Sequence, residues 1–301
     1  MKTAIAAGMD NLAFMAADLI DPAELKLVGF AVPMREAWNI YGDDGAVREL
    51  KDAMPVMPLE AAAGLETDVM ILAAGNREDE EALRYMLLKT GYRGEVISLY
   101  EHARCFSARA AVIRKLAWRL EELKVSGAAA DLGAGRGDAA WQMNALMPGR
   151  TLYLFDTFCG YDERDAQRER AMGLSEARAG QFALSAREQE NIEALLLGRM
   201  PYPERAVIRK GWFPETAFDL EDETFALVYM EAGLYGPTFS GIQYFYPRLC
   251  PGGVIVLKDY EDGKSLSVRR AVEDLEKMYG AFQLVPLCDL EGTAVILKNT
   301  G

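Results

Sequence analysis

Ala128-Ala129-Ala130-Asp131-Leu132-Gly133-Ala134-Gly135-Arg136-Gly137-Asp138 decides the fold. It reads as a buried strand, a glycine turn and the start of a helix. Gly133, Gly135 and Gly137 let the backbone turn tightly and approach a ligand with no Cβ in the way. A second strand, Thr151-Leu152-Tyr153-Leu154-Phe155, ends on Asp156. From Gly135 to Asp156 is the length of one βαβ crossover. That spacing puts the acid beside the glycine turn, within reach of a ribose hydroxyl pair.

The chain has 301 residues, half of them hydrophobic, enough for about two domains. Its net charge is −13 and its pI about 4.8. The acidic excess is spread over the whole chain, so a nucleic-acid partner or a basic membrane-binding face is not expected. Cys105, Cys159, Cys250 and Cys288 are far apart and form no metal-ligand pair, which suits free thiols in a reducing cytoplasm. Asp10 and Asp18 follow too closely on the N-terminus for a signal peptide, and no uncharged apolar run is long enough to span a membrane. His102 is the only histidine, which argues against a histidine base or a His-rich metal site.

Two domains joined by a linker follow. Residues 1–105 read as a small Rossmann-like α/β domain, with strands at 2–7, 25–30, 68–74 and 95–99 and a helix over 77–89 that stops at Gly91. Its own turn, Ala6-Ala7-Gly8-Met9-Asp10-Asn11, keeps one glycine, and its second strand runs into Ala31-Val32-Pro33 with no acid. Both dinucleotide devices are missing, so a structural, dimerising or regulatory role is expected. Residues 106–125 read as a linker helix, with Val112, Ile113, Leu116, Leu120 and Leu123 on one face and Ser107 as N-cap; it is expected to pack between the two domains, with a lid or homodimer helix as the alternative.

Residues 126–301 form the second α/β domain. A polar insertion at 157–203 is too long for an ordinary connection and reads as a lid or an acceptor-binding cap of two helices. Phe225–Met230 is a buried strand ending at Glu231, and Val254–Leu257 ends on Lys258-Asp259-Tyr260. Two closing strands, 282–287 and 293–298, are joined by a short turn, so one edge strand is expected to run antiparallel.

The segments Asp131–Asp138, Leu154–Tyr161, Lys210-Gly211-Trp212-Phe213-Pro214-Glu215-Thr216, Leu234-Tyr235, Tyr244–Leu249, Pro251-Gly252-Gly253 and Asp259-Tyr260 together resemble the macrocin O-methyltransferases. These are class I enzymes dependent on S-adenosylmethionine (SAM). The resemblance implies a Rossmann-like sheet with a C-terminal antiparallel hairpin, and SAM as cofactor. It implies O-methylation of a hydroxyl on a sugar or a glycosylated small molecule. Asp131, Gly133, Gly135, Gly137, Asp156, Thr157, Phe158, Gly211 and Trp212 would then bind the cofactor: the glycines at its methionine part, Asp156 at its ribose, Gly211-Trp212 near the adenine.

By the resemblance Glu231 or Asp259 would take the acceptor's proton, and Lys258, a departure from the family pattern, joins them as a charge-balancing catalytic candidate. The family carries Asp-x-Asp-Leu-Tyr after its fourth strand and His-Asp-Tyr or Asp-Asp-Tyr after its fifth, and members that use magnesium hold it with those acids. Here the runs are Glu231-Ala232-Gly233-Leu234-Tyr235 and Lys258-Asp259-Tyr260. A glycine stands where an acid would, and a cation beside Asp259. No complete metal site is therefore expected; a retained ion would rest on Glu231 and Asp259. Lys258 either turns toward the acid pair in place of the ion or points into solvent. Two alternatives to an active enzyme stay open: a SAM-binding protein that lost the chemistry, and a nucleotide-sugar or NAD-linked oxidoreductase.

Overall fold

The computed structural model describes residues 1–8, 12–33, 54–103, 107–261, 266–289 and 291–299. Met9, Asp10 and Asn11 of the degraded turn, and Cys105, lie outside the described residues. The chain forms two compact units: Met1–Ser107 makes up the bulk of one, and Ala108–Glu261 the bulk of the other.

The first unit holds β1 (Lys2–Gly8), β2 (Leu25–Val32), β3 (Val56–Pro58), β4 (Val69–Ala73) and β5 (Glu95–Ser98). They pair in the order β3-β2-β1-β4-β5, all parallel. The run Val69–Ala73 is buried along its whole length, as an apolar strand covered on both faces must be. Helices α1 (Leu12–Ala17), α2 (Leu59–Ala63), α3 (Arg77–Thr90) and α4 (Leu99–Ala103) complete the described part. α3 starts where the Asn76 side chain accepts the Asp79 N–H, and stops at Gly91 in the left-handed region. Strand β3 went unseen in the sequence, since three residues carry no periodicity.

In the second unit, strands β6 (Ala128–Leu132), β7 (Leu152–Asp156), β8 (Ala206–Lys210), β9 (Phe225–Met230), β10 (Leu249–Leu257), β11 (Gln283–Pro286) and β12 (Ala294–Leu297) form one sheet. Their order is β11-β12-β10-β9-β6-β7-β8. The expected antiparallel strand is present but is not at the edge. β12 pairs antiparallel with both β10 and β11, so it lies inside the sheet and β11 is the edge. The burial pattern gives the reason: Ala294, Val295 and Ile296 are buried, whereas β11 is largely exposed.

Alternate residues of the central strands feed two cores. One face carries Leu154, Tyr229 and Val256, covered by α5 (Ala108–Glu122) through Ile113, Ala117 and Leu120, and by α6 (Asp138–Leu146) through Ala140 and Met143. The other carries Phe155, Val228 and Ile255, covered by α10 (Tyr235–Arg248) and α11 (Ser267–Tyr279) through Phe245 and Val272. The helix read as a linker thus packs on this unit's core. Leu123, expected on its apolar face, is half exposed.

The insertion after β7 holds three short helices rather than two: α7 (Glu163–Ala171), α8 (Ala186–Glu190) and α9 (Ile192–Arg199). Leu184, Ile192, Leu196 and Met200 are buried in the first of the two cores, so this stretch is part of the fold and not a loose flap. Strand order reverses between β6 and its two neighbours β7 and β9, and ligands of open α/β sheets bind outside the strand ends at such a switch point.

Candidate active site

Both the glycine turn and the acid cluster sit at that switch point. Gly133 follows β6 with φ 93°, and a Cβ there would lie 2.3 Å from the Glu231 carbonyl oxygen. Only glycine lets the ends of β6 and β9 approach so closely. Gly135, at φ 48°, differs: a Cβ on it would meet nothing within 4 Å. The space beside it is open, a cradle that a side chain would fill. Gly137 opens α6 with its Cα against Leu196, so its role is packing.

Asp156 ties this turn to β7. One of its oxygens accepts the Gly135 N–H at 2.8 Å and the other the Phe158 N–H at 2.6 Å. Burial raises its pKa, against the pull of those two N–H groups. A carboxylate has about four lone-pair positions, so acceptor capacity remains for ribose hydroxyls.

The other residues assigned to the cofactor have mixed placements. The Thr157 hydroxyl donates to the Gly160 carbonyl at 2.6 Å and shapes the turn. Phe158 has its ring in the core, 1% exposed, and offers the site only its backbone. The Gly211 N–H donates to the Asp156 carbonyl at 2.9 Å, which fixes that loop beside β7. Trp212 donates its Nε1–H to Asp165 at 2.8 Å, and the Arg164 guanidinium lies 3.8 Å from the ring centre. Asp131 is sealed: it is 1% exposed. Burial, then the nearby charges of Glu231 and Asp156, hold its carboxyl well above the usual range.

Across the turn lies a cluster on β9, β10 and α5. Lys258 donates to Glu231 Oε1 at 2.7 Å, and its ammonium is 3.6 Å from Asp259 Oδ1. Lys258 therefore turns toward the acid pair and not into solvent. Burial alone would lower its pKa, but Asp259 and Glu231 outweigh that and hold it above the ordinary value. Glu231 Oε2 accepts from the Tyr229 hydroxyl at 2.8 Å and from Arg109 at 3.2 Å. Arg109 also bonds the Tyr229 hydroxyl and pairs with Glu291 at 2.9 Å. The side chains of Lys258 and Asp259 are each 23% exposed, so the cluster is reachable from solvent.

Arg109, Tyr229 and Tyr161 belong to this neighbourhood and were not picked out in the sequence. Tyr229 lies two residues before Glu231 and so on the same strand face, a signal that was available. Arg109 comes from a helix start 122 residues away, with no local signal. Tyr161 belongs to the insertion. A Cβ on Gly233 would be 2.8 Å from the Tyr161 hydroxyl and 4.0 Å from Asp259 Oδ2, so Tyr161 reaches the position where the family's second acid would project.

The insertion is fastened here by Glu169, which is fully buried. Its oxygens accept from the Tyr235 N–H, from Ser175 Oγ at 3.0 Å and from Ser267 Oγ at 2.7 Å. That joins α7 to the starts of α10 and α11.

A model of the macrocin O-methyltransferase (TylF) family matches residues 98–298. The chain belongs to that family. The matched segment begins before the resemblance read from the sequence and takes in α5, the helix that supplies Arg109. Among relatives of this macrocin-type chain is the 8-demethyl-8-(2,3-dimethoxy-alpha-L-rhamnosyl)-tetracenomycin-C 4'-O-methyltransferase of Streptomyces olivaceus. It is 26% identical over 184 residues, spanning 58% of this chain and 67% of the relative. Another is the mycinamicin III 3''-O-methyltransferase of Micromonospora griseorubida, 30% identical over 82 residues, 27% of this chain and 31% of the relative. Of solved structures, the O-methyltransferase NovP superposes with a TM-score of 0.54 at 22% identity, over 64% of this chain and 79% of its own. The calicheamicin methyltransferase CalS11 gives 0.53 at 18% identity, over 85% and 93%. These likenesses establish the class I methyltransferase fold, with its parallel sheet and C-terminal antiparallel strand.

Proposed function

We propose that this member of the macrocin O-methyltransferase family transfers a methyl group from SAM to a hydroxyl on a sugar or a glycosylated small molecule. The observation that carries the reading is the open space at Gly135, whose N–H is held by Asp156 at the switch point of the sheet. The fit to SAM is good: the turn leaves room for a ligand's backbone-like chain, and Asp156 keeps acceptor capacity for a ribose diol. Bound there, SAM supplies a sulfonium-activated methyl that leaves a neutral thioether as the new O–C bond forms.

The chain's own residues must then place the acceptor oxygen and take its proton. Glu231 is poorly suited to the proton, because Lys258, Tyr229 and Arg109 all donate to it. Asp259 is assigned as the base: it sits just after β10 with φ 62°, its side chain is 23% exposed, and Oδ2 lies 4.0 Å from where a Cβ on Gly233 would stand. In this scheme Asp259 accepts the hydroxyl proton as the O–C bond forms, while Glu231 anchors the cations around it. The glycosylated acceptors named for the tetracenomycin and mycinamicin relatives support a sugar hydroxyl as the target.

Incubation with methyl-labelled SAM and a panel of rhamnose-bearing and other glycosylated acceptors tests this. One labelled methyl on the sugar, with equimolar S-adenosylhomocysteine, is the expected result. Tight SAM binding with no transfer to any acceptor would instead support a binding protein that has lost the chemistry.

A further inference from the structure

In family members that use magnesium, acids at the ends of the fourth and fifth strands hold it. The residues present here do not fit such an ion. Magnesium takes hard oxygen donors in near-octahedral geometry. Glu231 has both oxygens engaged by donors: Oε1 by Lys258 at 2.7 Å, and Oε2 by Tyr229 at 2.8 Å and Arg109 at 3.2 Å. The second acid position is Gly233, which supplies no carboxyl, and the Tyr161 hydroxyl lies 2.8 Å from where its Cβ would stand. Among the described residues no group of three or more metal-capable side chains comes together. Two positive side chains already neutralise the cluster where an ion would have to enter.

The geometry points to the Lys258 ammonium as a built-in replacement for the family's metal ion: lodged between Glu231 and Asp259, it supplies the positive charge and donates a hydrogen bond that orients the acceptor hydroxyl. An ammonium has three donors. One goes to Glu231 and the side chain leans toward Asp259, which leaves a donor for an incoming oxygen. The charge that two adjacent carboxylates need for both to stay ionised is then covalently attached to the chain. Acceptor orientation by Lys258 presupposes the methyl-transfer function proposed above; replacement of the ion does not.

Titration of the metal-stripped full chain with Mn2+, followed by electron paramagnetic resonance, tests the replacement without any turnover. The wild type is expected to show no site that Asp259→Asn removes. Lys258→Asp, which removes the cation and adds a third acid, is expected to gain one. Stoichiometric Mn2+ binding to the wild type that Asp259→Asn abolishes would overturn the proposal, as would a Lys258→Asp chain that binds Mn2+ no better than the wild type. With a productive acceptor in hand, turnover should persist in excess EDTA, and Lys258→Met should lose kcat while SAM affinity is kept. Loss of turnover in EDTA with recovery on added Mg2+ would also overturn it. Absence of turnover with every acceptor would count against the methyl-transfer reading alone, with the Mn2+ result still deciding the role of Lys258.

Discussion

Asp131 is the residue whose chemistry departs most from its appearance in the sequence. As the first acid of the glycine stretch it resembled a cofactor contact; in the fold it is sealed beneath the turn. Its folded pKa is raised, chiefly by burial, so the folded state holds the proton more tightly than the unfolded chain does. Stability from this group is therefore fully present below the unfolded value near 3.8 and is lost as pH rises through the higher folded value. Asp131→Asn, which cannot ionise, should melt above the wild type at neutral pH, and the gap should shrink as the pH approaches 4. A wild type that melts higher at pH 7 would mean that the charge is stabilised by a partner. Asp156→Ala removes the acceptor for two backbone N–H groups and for the ribose, so SAM binding should weaken by about 1.5–3 kcal/mol in calorimetry.

At the scale of elements, the insertion between β7 and β8 matters most. Its length was legible in the sequence, but not its division of labour. A polar stretch rich in Arg and Glu suggested a cap, whereas Leu184, Ile192, Leu196 and Met200 enter the core and Leu196 packs under Gly137. Four apolar residues scattered through a charged segment give too little periodicity to reveal which ones are buried. The strands and the glycine turn were legible because apolar runs and glycine spacing are local signals. The cluster around Glu231 was legible only in part: Lys258 and Asp259 are chain neighbours, but Arg109 arrives from a distant helix. Glu169 was equally invisible, as a glutamate in a charged helix looks exposed. Glu169→Ala would remove the acceptor of the buried Tyr235 N–H and of two serine hydroxyl bonds. Loss of the partner of that buried N–H should lower unfolding stability by about 1–3 kcal/mol in urea titration. Glu163→Ala, on the exposed side of the same helix, should change it by less than about 0.5 kcal/mol. Equal effects of the two would remove Glu169 as the fastening point.

For the whole molecule, the question is which of two Rossmann-like units holds a cofactor. The first has the strand order of a dinucleotide fold, yet its second strand passes through Ala31 and Val32 to Pro33 with no acid for a ribose. The full chain titrated with NAD or NADP should show no binding at physiological concentrations; micromolar binding of either would restore a cofactor role to that unit. No helix of the described residues is long and apolar enough to cross a membrane. The second unit has the glycine turn, the acid at the next strand end and the family match over residues 98–298. Titration of the wild type and of Gly135→Val with SAM in a calorimeter tests that assignment most directly. The account predicts one SAM per chain for the wild type and none for the variant, because the valine side chain enters the open space beside residue 135. Equal SAM affinity in a folded Gly135→Val chain, or no SAM binding by the wild type, would contradict it.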